Sequence, residues 1–240
     1  MHWEDDGIVL ARRPYGETSA VLELLTRNHG RHLGLLRGGR KQAAQLQMGN
    51  SLRAIWRARL SDHLGHYTVE PLMLRAARIM EDADALTGLR AACALLSDSL
   101  PERDPHPELF EGLTVLLDCM GDPAVWPALY VRFEVGLLEA LGFGLALDRC
   151  AVTGSREDLS YVSPKSGRAV SSAAAGEYAA RLLKLPPFLL GAQNRPLPGD
   201  VANGLKLTGF FLEERVFLPH GKRLPAARQA LAERFASQRG

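Results

Sequence analysis

"DGIVLARRPYGETSAVLELLTRNHGRHLGLL", residues 6–36, decides the fold of the first third of this 240-residue chain. Asp6–Arg12 and Ser19–Leu25 are short apolar runs, and between them "PYGET" places Pro14 and Gly16 in a turn. "RNHG" (27–30) marks a second turn, and Arg31–Leu36 forms a third run. After "RGGRKQ" (37–42) come Ser51–Leu60 and Gly65–Leu74. Five short strands with glycine-containing turns in fewer than 80 residues predict a small antiparallel barrel. Within "SLRAIWRARL" (51–60), alternation puts Leu52, Ala54, Trp56, Ala58 and Leu60 on one face and Arg53, Arg57 and Arg59 on the other. Trp56 is thereby read as a core residue. Tyr67 suits the core and a ligand face equally, and Tyr15 suits either base stacking or a barrel cap.

From about residue 80 the apolar period becomes helical. Asp82–Ser99, Pro107–Met120 and Pro123–Leu141 carry apolar residues at i, i+3, i+4 spacing, with Pro101, Pro105 and "GDP" (121–123) as breaks. Residues 150–171 read as loop. Ser171–Leu183, Val201–Leu218 and Pro225–Ser237 are the remaining expected helices, and all eight Phe lie at or beyond Phe110. The fold class is α+β, with a barrel domain over 1–80 and a helical domain over 81–240.

The net charge of +2 hides an asymmetry. Residues 1–80 hold 12 Lys/Arg against 7 Asp/Glu, and Leu24–Ser61 holds eight basic residues and no acid. Such a run is the electrostatic footprint expected for a polyanion. The candidate backbone contacts are Arg31, Arg37, Arg40, Lys41, Arg53, Arg57 and Arg59, with Gly38 and Gly39 letting the loop bend. Neutralising about six phosphates of a single strand predicts a log–log salt slope near −4. The competing reading of the same residues is a merely basic surface.

Catalytic machinery is not legible. The chain has no GxxxxGK[ST], HExxH, GxSxG or EF-hand loop, and in "GFGLAL" (142–147) the third glycine of a dinucleotide motif is replaced by Leu147. The acids of "EDADAL" (81–86) suit a helix start. Cys93, Cys119 and Cys150 are odd in number and form no CxxC, as expected for reduced thiols in a cytoplasmic protein. "MHWEDDGIVL" does not read as a signal peptide, and no apolar run is long enough to span a membrane.

In order along the chain, "GIVLARRPYGETSAVLELLTRNHGRHLGLLRGGRK" (7–41), "FEVGLLEALGFGLALDRC" (133–150), "YVSPKSGRAV" (161–170) and "LPAAR" (224–228) resemble the RecO family of bacterial recombination mediators. The resemblance implies an N-terminal OB barrel, an all-α C-terminal domain and a zinc-binding insertion, here over 148–174. It implies a non-enzymatic, nucleoid-associated protein that binds single- and double-stranded DNA. It further implies annealing of complementary strands, including those coated by single-stranded DNA-binding protein (SSB), and RecA loading together with RecR. The same resemblance points to a helical-domain site for the SSB tail, for which Arg132 and Arg215 are candidates. Relatives that bind zinc carry two CxxC pairs, whereas this chain reads Cys150-Ala-Val-Thr153 and Ser171-Ser-Ala-Ala174. No zinc and no other cofactor is therefore expected. An RNA-binding barrel acting in translation or ribosome assembly, an enzyme with its site in the helical half, and a structural adaptor are the rival readings.

Overall fold

A computed structural model describes residues 1–38, 42–191, 196–197 and 199–237. The chain divides into two compact units, Met1–Pro123 and Ala124–Gly240. The first contains β1 (His2–Tyr15), β2 (Ser19–Thr26), β3 (Gly30–Leu36), β4 (Ser51–Arg57) and β5 (His66–Met73). These close into a barrel in the order β1-β2-β3-β5-β4, with β4 returning to pair with β1. Among the described strands the pairs are antiparallel except β3 with β5, which run parallel where Leu35 faces His66 and Leu36 faces Tyr67. This is the OB barrel that the family resemblance implies, and the small barrel expected from the strand pattern is antiparallel except at β3–β5.

The alternation in β4 holds as far as the strand does. Leu52, Ala54 and Trp56 are buried in the barrel core with Val9, Leu22, Leu24, Leu36 and Tyr67, while Arg53 and Arg57 are exposed. Each such buried aliphatic or aromatic side chain contributes about 1.5–3 kcal/mol of transfer free energy. The strand ends at Arg57 rather than Leu60, so Leu60 is exposed and Arg59 sits in the following loop. Gly34 of β3 passes directly beneath the Tyr67 ring; a Cβ there would lie 2.5 Å from Cδ2. A side chain at 34 is therefore excluded by a neighbour from β5.

Three helices complete this unit: α1 (Ala76–Ile79), α2 (Ala83–Ser99) and α3 (Pro107–Cys119). Asp82 caps α2, its carboxylate accepting from the backbone N–H of Asp84 (2.7 Å) and Ala85 (3.0 Å), and Asp84 lies in the first turn, which accounts for two of the acids of "EDADAL". Arg75 is buried and ties strand to helix, donating to Ser51 Oγ and Asp118 Oδ1, each at 2.6 Å.

The second unit begins with α4 (Trp126–Ala140) and continues into a three-stranded sheet of β6 (Leu159–Val162), β7 (Ala169–Ser171) and β8 (Leu183–Lys184), ordered β7-β6-β8. The segment read as loop is thus partly strand. The helix expected over Ser171–Leu183 is only α5 (Ser172–Ala175), followed by a 3-10 turn over Gly176–Arg181. Gly176, at φ 43°, ψ −129°, takes a conformation that no α-helix continues through. Then come α6 (Asp200–Phe211), a π-helical turn over Leu212–Phe217, and α7 (Ala226–Ser237). Among the described residues, no helix is long and apolar enough to cross a membrane.

Candidate nucleic-acid interface

Register converts three distant residues into one row. His2 of β1 pairs with Arg57 of β4, Arg57 pairs with His66 of β5, and His66 pairs with Leu35 of β3. His2, Arg57 and His66 all point outward and are exposed. Adjacent strands lie about 4.8 Å apart, so the three cationic or protonatable groups span roughly 10 Å of barrel rim. The next row, Trp3–Trp56–Tyr67–Leu36, points inward and supplies the aromatic floor. Beside this rim runs a groove of about 410 Å³, lined by Arg37, Gln42, Arg57, His66 and Thr68 among others.

The candidate cations separate by what they already hold. Arg37, Arg57 and Arg59 are exposed and have no ion-pair partner among the described residues. Arg37 and Arg57 share the groove; Arg59 lies just beyond the end of β4. Arg31 is differently placed, with a side chain only 15% exposed. Its Nη1 donates to Glu23 Oε1 (2.8 Å) and its Nε to the Leu100 carbonyl (2.8 Å), so it fastens β3 to the chain after α2. Arg53 is half-exposed, with Nε 3.2 Å from Asp6 Oδ1 and 3.7 Å from Glu4 Oε1. Its charge is shared with two carboxylates before any ligand arrives. Arg40 and Lys41 lie outside the described residues.

From the sequence, His66 reads, with the other histidines of the basic half, as added charge for a nucleic acid or plain surface, whereas His2 carries no signal. The alternation of "HYTVE" places His66 in phase with exposed Thr68, a usable signal. His2 gave none, because the polar, acidic opening of the chain does not look like strand, and only pairing with β4 extends β1 back to it.

The aromatic floor also perturbs a titrating group. His32 of β3 is buried, 4.9 Å from the Trp56 ring and 5.0 Å from the Trp3 ring. Its Nδ1 lies 3.0 Å from the Leu33 carbonyl and 3.1 Å from the Tyr67 hydroxyl. Burial first, then the charge of Arg103, lower its pKa from 6.5 to about 4. Burial likewise pushes the Tyr67 phenol well up. Both rings are neutral at pH 7 and act as packing.

In the second unit the two partner-site candidates are engaged locally. Arg132 of α4 donates from Nε to the Phe188 carbonyl (3.2 Å) and from Nη2 to Gly191 (2.9 Å). Arg215 lies 4.5 Å from the centroid of the Phe211 ring. The polar centre of this unit is another pair altogether. Glu134 and Arg228 are almost fully buried, with Arg228 Nε and Nη2 donating to the two carboxylate oxygens and Thr208 Oγ1 donating to Oε2. Arg228 Nη2 also reaches the Leu205 carbonyl at 2.6 Å, so α4, α6 and α7 meet on one guanidinium. Both members fall inside stretches quoted above, "FEVGLLEALG" and "LPAAR", but sequence alone does not pair them.

At the insertion, Cys150 is buried and its Sγ accepts from the backbone N–H (3.4 Å) and hydroxyl (3.5 Å) of Ser171. Burial opposes ionisation of this thiol, but hydrogen bonds from Ser171 and Thr153 outweigh it and bring its pKa down to about 6. One thiolate, two hydroxyls (Thr153 and Ser171) and the methyl of Ala174 do not form a tetrahedral zinc donor set.

Two family models match the chain. "Recombination protein O N terminal" matches residues 1–74 and "Recombination protein O C terminal" matches 80–224. Curated relatives named DNA repair protein RecO are similar over nearly the whole length. That of Methylocella silvestris is 51% identical, covering 99% of this chain and 97% of the relative. That of Methylobacterium nodulans is 53% identical over 95% and 96%, and that of Rhizobium etli 52% over 97% and 92%.

Proposed function

The chain belongs to the RecO family of DNA repair proteins, and from that premise we propose that its barrel, residues 1–80, holds nucleic-acid phosphates along the Arg37–Arg57 groove and the His2–Arg57–His66 rim. The observation that carries the reading is the division among the arginines. Arg37 and Arg57 line one groove and have no carboxylate partner among the described residues, in a segment, 24–61, that contains no acid. Unneutralised guanidinium groups on a rim attract a polyanion and release its counterions, without reading sequence. Arg59, Arg40 and Lys41 extend the same charge. Arg53 joins when a phosphate displaces Asp6, and Arg31 acts through the shape of the barrel.

Annealing follows from this physics. A surface that binds two complementary strands screens their repulsion and raises their local concentration, with no bond in DNA made or broken. The action is that of a binding protein, not an enzyme. Family membership supports the further steps: recruitment to SSB-coated strands through the tail of SSB, cooperation with RecR, and RecA loading at gaps. For the tail site the candidates are Arg132 of α4 and Arg215, which lies against the Phe211 ring, both in the helical domain over 81–240. The insertion at 148–174 works without zinc.

The test is the salt dependence of single-strand binding. Removing two phosphate contacts by Arg37→Ala with Arg57→Ala should lower affinity for all sequences and make the log–log slope shallower by about 1.4, taking about 0.7 per contact. Annealing of SSB-coated complementary oligonucleotides should fall with it. An unchanged slope would remove this groove from the interface.

A further inference from the structure

The barrel end beside the basic rim carries stacked rings as well as charge. Trp3 stacks on His29 with centroids 4.2 Å apart and planes 9° apart, and on Trp56 at 5.7 Å and 19°. Trp56 is buried and Trp3 half-buried, whereas the His29 side chain is 34% exposed. Its orientation is fixed from below. Asp5, itself buried, accepts from the backbone N–H of Asn28 (2.7 Å) and from Asn28 Nδ2 (2.9 Å), and its Oδ2 lies 2.9 Å from His29 Nδ1. The turn that presents the ring ends at Gly30, whose φ of 68° a side chain would strain.

These rings open on a cavity of about 600 Å³, also lined by Asn28, His32, Ser61 and Arg103. The volume is that of a small-ligand pocket, and its apolar, aromatic walls with a few polar edges match what binds a planar heterocycle. Arg103 has φ 64°, unusual for a residue other than glycine, and its guanidinium lies 5.9 Å from the centroid of the Trp56 ring. Backbone strain retained at a cavity wall fits a role in binding. Trp3 is one ladder position along from His2, so the stack begins where the cationic rim ends.

We propose that the partly exposed His29 ring is a stacking platform for one unpaired nucleobase, continuing the Trp56–Trp3–His29 series. The proposal rests on the reading of the barrel as a nucleic-acid binder and adds a base site to its phosphate track. A strand whose phosphates follow Arg37, Arg57 and His2 turns its next base into the cavity. Any base suits the platform, because stacking uses the ring face. A paired base does not, so the site favours single strands over duplex.

The experiment compares His29→Gln, which retains a hydrogen-bond donor for Asp5 but removes the ring, with His29→Phe, which retains a ring and removes the donor. Each is titrated with fluorescein-labelled oligothymidylate at several salt concentrations, while tryptophan emission is followed. His29→Gln should bind about five- to a hundredfold more weakly, the range for losing one base–aromatic stack, with an unchanged salt slope and less tryptophan quenching. His29→Phe should bind within about threefold of wild type. Wild-type affinity in His29→Gln overturns the platform. Equal loss in both variants with a shallower slope also overturns it, since His29 would then be acting as a charge. A wild type that binds no single strand overturns the phosphate track as well, whereas a normal Arg37/Arg57 effect with no His29 effect removes the platform alone.

Discussion

Replacing Arg228 by Ala tests what holds the second unit together. Glu134 is fully buried and is satisfied by three side-chain donors, two from Arg228 and one from Thr208. Without the guanidinium, a buried carboxylate keeps one neutral donor, and the Leu205 carbonyl loses the donor that Nη2 supplies. Uncompensated burial of this kind costs about 3–5 kcal/mol, a large share of the 5–15 kcal/mol typical of a folded domain. Removing both charges, Glu134→Leu with Arg228→Met, deletes the attraction and the desolvation penalty together and should cost less than about 1 kcal/mol. Arg228→Lys supplies a single point charge where the site uses a fork, so it should fall between the two. The assay is guanidinium-induced unfolding followed by circular dichroism and by tryptophan emission. Trp126 on α4 packs edge-on to Phe235 of α7 at 5.7 Å and reports on these helices. If the single and double variants lose equal stability, the reasoning from an orphaned buried charge is refuted.

Four further outcomes are expected. His32 is neutral when folded and titrates near 6.5 when unfolded, so the unfolded chain binds the extra proton; stability should fall as pH drops from about 6.5 to about 4 and level off below. The shift corresponds to about 3 kcal/mol, reduced to about 2 because the ring borders an open cavity, and a His32→Gln variant should lose that part of the pH dependence of the melting temperature. Gly34→Ala drives a methyl into the Tyr67 ring and should destabilise the barrel by about 1–3 kcal/mol, with relief in Gly34→Ala/Tyr67→Leu measured by urea unfolding. Arg31→Ala should lower the melting temperature while leaving the salt slope of DNA binding unchanged, because its guanidinium is held by Glu23 and Leu100; a shallower slope would return it to the interface. Elemental analysis of the purified chain should find substoichiometric zinc, and a chelator should leave the melting temperature where it was.

The local pattern announced most of the elements. Alternation in residues 51–57 and the turn residues at 14–16 and 27–30 describe strands through forces that act between near neighbours. So do Asp82 and Pro107 at helix starts. Local pattern fails where a distant partner decides. Arg59 and Leu60 keep the alternating pattern but have no strand opposite them, so β4 stops at Arg57. Residues 159–171 carry no strong strand signal, yet pair with each other and with β8.

The same boundary runs through the site. That the first third of the chain is basic, barrel-forming and without recognisable catalytic residues is legible from residue order alone, because charge density and two-residue periodicity are properties of short windows. Which of those charges are available depends on the folded barrel. Glu23 sits in the next strand and takes Arg31, Asp6 approaches Arg53 across the β1–β4 ladder, and Arg37 and Arg57 are left together on one groove. The folded barrel also aligns His2 with Arg57 and Trp3 with Trp56, partners more than 50 positions apart in sequence. Strand register creates those neighbours, and register is set by closure of the whole barrel rather than by any one of its strands.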